Sequence, residues 1–197
     1  YKIMIKCDKK CTIPLILIFC VYIMKSRKKN GSNKEKRIMA GGEKYSVLEV
    51  ANWFLNKERM DQKKLQKLCY FAYSWYLYYF NDIENGITNR LFKNDIQGWV
   101  HGPVSYELYR GFPFKGMELL TPAKGYGSVP ETDTLTVDIL NDVYETYKKY
   151  TGNQLEAMTH MEDPWIESRS GLNPYEPGKK VLRDETIFNY FSKLASE

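Results

Sequence analysis

The chain has only two histidines, and they stand in similar settings. The first lies in Trp99-Val100-His101-Gly102-Pro103-Val104-Ser105-Tyr106-Glu107-Leu108-Tyr109. The second lies in Thr159-His160-Met161-Glu162-Asp163-Pro164-Trp165. Imidazole titrates near neutral pH and also ligates metals, so two such segments could build an acid/base pair or half a metal site. Glu162 and Asp163 are the carboxylates beside His160 that could orient it. The rest of that chemistry is missing from the pattern. There is no nucleophile elbow, no His-Glu-x-x-His, no paired-cysteine zinc spacing after residue 38 and no phosphate-cradling glycine loop. The preferred reading is that each imidazole hydrogen-bonds a backbone carbonyl and fixes a turn before a helix. No catalytic residue, metal or cofactor is expected.

The elements that position these segments follow from local signals. Pro103 after Gly102 predicts a helix from Val104, with Val104, Leu108 and Tyr109 on its buried face. Pro164 predicts another through about Arg169, which can stack on Trp165 or pair with a carboxylate. Trp99 and Trp165 are large anchors across the two helix starts. Upstream, Ser46 and Glu49 form a capping box for a helix ending near Lys57. Asp61 caps the central helix, which runs to about Phe80 and is apolar on nearly all sides. Its aromatic stripe reads as core in preference to a ligand pocket, and Lys63, Lys64 and Lys67 read as a solvated helix end. Leu91–Val100 suggests one or two short strands, and 113–131 a long loop. Further helices are expected from Asp133 or Thr134 to a stop at Gly152, over Leu155–His160, and after an Asp184 cap. The expected fold is mainly α: a compact multi-helix domain around a central buried helix, with one short strand pair.

Charge divides the 197-residue chain. Residues 1–38 hold 11 Lys/Arg against 2 Asp/Glu, which leaves 18 against 22 for the body and makes the overall +5 a property of the leader. A mildly acidic body argues against a nucleic-acid binder. Cys69 is the body's one cysteine, set among apolar residues, so it reads as a buried small hydrophobe in a reducing cytosol. The leader's apolar run, Ile13–Met24, is about a dozen residues, short of the roughly 20 a spanning helix needs. Residues 1–38 are expected to be an over-extended reading frame or a disordered tail, with 39–197 a single domain. The alternative is a short anchor through residues 11–24 that holds the body in the cytoplasm.

Four pieces of the sequence occur together and in a family's order. They are Val50-Ala51-Asn52-Trp53-Phe54-Leu55, Leu65-Gln66-Lys67-Leu68-Cys69-Tyr70-Phe71-Ala72, Trp99-Val100-His101-Gly102-Pro103-Val104 with Leu108-Tyr109, and Thr159-His160 with Pro164-Trp165 and Arg169. Over about residues 45–170 the chain resembles the Panacea family, also described as the SocA-like antitoxin domain and as a phage-associated protein family. Cys69 stands where the family commonly has an apolar residue.

The resemblance implies an antitoxin, encoded beside a toxin and neutralising it by direct protein binding. It also implies an alternative, since the founding member delivers its toxin to an ATP-dependent protease. A histidine-dependent enzyme is the remaining reading. The implied partner is a cognate protein toxin, in the cytoplasm, with membrane contact only through the leader. The sixteen tyrosines suit a binding surface, because tyrosine offers rigid, amphipathic contact area. On this reading the motif residues hold the scaffold, and exposed tyrosines with the 113–131 loop are the candidate contacts.

Overall fold

The computed structural model describes residues 41–82, 84–113, 116 and 118–196. The leader expectations therefore lie outside the described residues. Within them are seven helices and two small strand pairs, arranged around one helix.

The order begins with β1 (Gly42–Glu43), α1 (Val47–Lys57) and α2 (Gln62–Phe80). Ser46 and Glu49 make the expected capping box of α1. Asp61 caps α2 by accepting from the Lys64 amide at 2.9 Å. Every residue of α2 except Lys63 is buried, because other elements cover it on all sides. Around it pack α1, β2 (Asn89–Arg90), β4 (Gly102–Ser105), α3 (Tyr106–Gly111), α4 (Thr134–Tyr147), α5 (Gly152–Thr159) and α7 (Asp184–Leu194). Aromatic contacts fill the joints: Phe71 stacks on Tyr147 at 4.1 Å, and Trp75 meets Phe191 edge-on at 5.0 Å. Among the described residues no helix is long and apolar enough to cross a membrane.

The lysines of α2 correct the sequence expectation. Lys67 is 1% exposed and Lys64 8%, so neither belongs to a solvated helix end. Each is kept by a backbone carbonyl: Lys64 donates to Lys148 O at 2.7 Å and Lys67 to Pro103 O at 2.9 Å. Only Lys63 stands at the surface, and it pairs with Glu156.

The segment after His101 also differs. β3 (Ile96–Trp99) and β4 form an antiparallel hairpin, with Ile96 opposite Ser105 and Trp99 opposite Gly102. Val100 and His101 are the turn, and Gly102 leaves it at φ +91°, a conformation that favours glycine. Pro103 therefore sits in a strand instead of starting a helix. What holds β4 extended is α2. Gln66 donates to Ser105 O and accepts from Ser105 N, at 3.1 and 2.9 Å, while Lys67 binds the Pro103 carbonyl. The helix begins two residues later than expected, at Tyr106, with Ser105 accepting from Leu108 N as N-cap of α3. On the other edge of β3, Leu182 donates to Ile96 O and Gly98 to Lys180 O.

Two smaller corrections concern caps. Gly152 does not end α4; that helix stops at Tyr147, and Gly152 opens α5 behind a Thr151/Gln154 capping box. Asp184 is the first residue of α7 rather than its cap, because its carboxylate serves Tyr73, Arg90 and Asn94. Pro164 does sit in the first turn of α6 (Asp163–Ser168).

Candidate functional site

The hairpin turn and the end of α5 bring the two histidines to one carboxylate. His101 Nδ1 lies 2.9 Å from Glu156 Oε1, so Nδ1 carries the donated proton. Lys63 donates to the other oxygen at 2.5 Å. His160, one helical turn after Glu156, has Nε2 at 4.0 Å from Oε1 and without a hydrogen-bond partner there. Burial works against ionising Glu156, but the hydrogen bonds from Lys63 and His101 outweigh it and hold its pKa below the usual range. Burial lowers the His160 pKa, against the pull of Glu156 and a backbone hydrogen bond at Val100. His101 is 70% exposed at its side chain, and its partner is a carboxylate, not the expected backbone carbonyl.

The two tryptophans tie these segments together. Trp165 Nε1 donates to Trp99 O at 2.9 Å, and His160 stacks on Trp165 at 4.0 Å. Trp99 in turn meets Tyr109 at 5.0 Å, and Tyr109 lies at the surface, not on the buried face expected of it, where Leu108 alone of its helix is buried. The Arg169 guanidinium lies 5.4 Å from the Trp165 ring centre, the stacking the sequence suggested. Between them opens a groove of about 740 Å³, lined by Trp99, Val100, His101, Glu156, His160, Trp165, Pro174, Tyr175, Pro177, Gly178 and Lys179.

The remaining motif residues lie behind this surface. Leu65, Leu68 and Leu108 are wholly buried, Val104 is 8% exposed, and Pro164 is buried. Thr159 donates to Glu156 O, and Tyr70 donates to Glu162 at 2.5 Å. Glu162 is a buried acid whose pKa burial pushes up to about 8, opposed by the Tyr70 hydrogen bond and the Lys67 charge. Burial lowers the Lys67 pKa to about 7. A β-carbon on Gly102 would fall 2.7 Å from Thr159 Oγ1 and 2.8 Å from Lys67 Nζ, so hairpin, α5 and α2 meet at this glycine without room to spare.

Sequence reasoning missed Glu156, Lys63 and Tyr175. Glu156 carried one local signal, its place four residues before His160 on a helix. Tyr175 carried none beyond two flanking prolines.

A histidine oriented by a carboxylate is half of an acid/base device. No serine, threonine or cysteine is hydrogen-bonded to either imidazole among the described residues. Nor is there, among them, a group of three or more side chains placed to hold a metal. What the arrangement offers is a preformed aromatic groove, fixed to the core through Gln66, Lys67 and Arg169. Comparison with curated proteins and with solved structures gives no significant match. The family described as "Antitoxin SocA-like, Panacea domain" matches residues 65–166, from α2 through most of α6 and just over half of the chain. The chain that folds the two histidine segments onto its central helix belongs to the SocA-like, Panacea-domain antitoxin family.

Proposed function

We propose that the protein is an antitoxin that neutralises a cognate protein toxin by direct binding, through the face built around the Trp99–Trp165 groove. Membership of an antitoxin-like family supports a protein partner in general. The observation that carries the surface assignment is where five of the seven large exposed apolar side chains among the described residues, all but Tyr106 and Leu119, fall. Tyr109 packs on Trp99 and is 36% exposed; Tyr175 lines the groove and is 89% exposed. Met161 and Ile166, 66% and 50% exposed, directly follow His160 and Trp165, which line it. Val181, 41% exposed, bridges to Gln97 on the edge of β3. Such a concentration of exposed apolar groups is the mark of an interaction face. Among the described residues Tyr70, Tyr73, Tyr76, Tyr78, Tyr79 and Tyr147 are core residues and do not serve as anchors.

The setting proposed is the cytoplasm, with no cofactor, no metal and no nucleic acid. The test pairs the protein with the product of its neighbouring gene. Co-expression should relieve that product's toxicity, and the two should co-purify. The toxin's half-life should stay unchanged during neutralisation; a shortened half-life would favour delivery to an ATP-dependent protease instead. A His101→Ala variant should still protect, because the exposed imidazole performs no chemistry on this reading. Loss of protection with binding intact would favour a histidine-dependent enzyme.

A further inference from the structure

We propose that Arg169 is the positioning residue of this groove: it holds the 173–178 strap in place as a wall, and partner affinity depends on that hold. The inference rests on the reading that the groove face binds the toxin. Arg169 ends α6 and is 7% exposed, yet among the described residues its hydrogen-bond partners are backbone carbonyls, not a carboxylate. One arm, Nη1, donates to Gly98 O at 3.0 Å, on the strand that carries Trp99. The other, Nη2, reaches Asn173 O, Pro174 O and Glu176 O at 3.1, 3.1 and 2.8 Å. A single planar fork therefore bolts β3 to the strap, and Trp165 lies against its face.

The strap has little else to define it. Pro174 and Pro177 have no amide N–H to donate, and Tyr175 projects into solvent. It turns on an Asn173–Glu176 contact and then passes so close to β3 that a β-carbon on Gly178 would fall 2.4 Å from Gly98 O. A groove wall held in this way is already ordered before a partner arrives. Ordering it during binding would instead subtract from affinity.

The test compares wild type with Arg169→Lys, which keeps the charge and most of the stem but loses the two-armed fork. Hydrogen exchange is measured on the free proteins, and affinity for the neighbouring-gene toxin by calorimetry. The expected result is faster exchange confined to residues 172–178, with α2 and α4 unchanged, and a Kd raised tenfold or more. Adding Tyr175→Ala should weaken wild type strongly but Arg169→Lys hardly at all, a coupling that simple loss of stability would not produce. A Pro174→Gly/Pro177→Gly variant, which loosens the strap and leaves Arg169 alone, should behave likewise and serves if Arg169→Lys does not fold. A freed strap with unchanged Kd would overturn the proposal while direct binding stands. Unchanged exchange, or additive effects of the two substitutions, would overturn it too. If wild type does not bind the toxin, the direct-binding reading falls and this inference with it.

Discussion

Glu162 and Lys67 are buried ionisable residues whose charges oppose each other across the core beneath the groove, and their effects on stability have opposite signs. The Glu162 pKa is raised from 4.5 to about 8 on folding. Its contribution is therefore fully present below pH 4.5 and is lost as pH rises through about 8. Lys67 is lowered from 10.5 to about 7, so its penalty is full below pH 7 and fades as pH rises toward 10.5. Below pH 7 Lys67 adds no slope, and the opposite slope from the lowered His160 pKa is common to wild type and Glu162→Gln, so their difference reports Glu162. Between pH 5 and 7 the wild-type melting temperature should fall relative to Glu162→Gln, which lacks that titration. Parallel curves for the two proteins would show that Glu162 keeps an ordinary pKa. At Gln66 the expected effect is direct. Gln66→Ala removes both hydrogen bonds to Ser105 from a buried site, at a cost of about 2 kcal/mol in chemical denaturation.

At the scale of elements, the β3–β4 hairpin is where local pattern and tertiary structure part. A proline just before an apolar run is a sound helix-start signal, and Pro164 obeys it. Pro103 does not, because Gln66 and Lys67, 36 residues or more upstream, hydrogen-bond the chain in its extended form. Spacing within the segment carries no trace of those partners. The same holds for Lys67, whose residue type argues for solvent and whose contacts place it inside. By contrast the rest of α2, from Leu68 to Phe80, was legible, since its aromatic and aliphatic residues leave no polar face for water. Of the site, the sequence singled out the histidines, tryptophans and Arg169, while Glu156 and Tyr175 join them only through the fold. The hairpin account predicts that Gly102→Ala destabilises by more than about 1 kcal/mol, since φ there is +91° and a methyl would press on Thr159 and Lys67. Thermal denaturation of that variant, compared with Gly125→Ala in open space, measures the difference.

At the scale of the whole molecule, the central helix serves as a spindle onto which the groove-bearing elements are fastened. Substitutions in the spindle should act through folding. Phe71→Ala, which removes the ring stacked on Tyr147, should cost about 3–5 kcal/mol and lose toxin protection together with solubility. Substitutions of the exposed groove tyrosines should act through binding, because Tyr109 projects from α3 and Tyr175 from the strap that Arg169 holds. The motif residues thus divide by depth. Those facing α2 keep the scaffold, and those turned outward, with Tyr175, make the proposed surface. The most direct test is calorimetric titration of the neighbouring-gene toxin with purified wild type and with a Tyr109→Ala/Tyr175→Ala variant. The account predicts a wild-type complex and a Kd raised at least tenfold in the variant, with its melting temperature within about 2 °C of wild type, as expected for exposed sites. An undiminished affinity in the folded variant, or protection of cells without any complex, would contradict it.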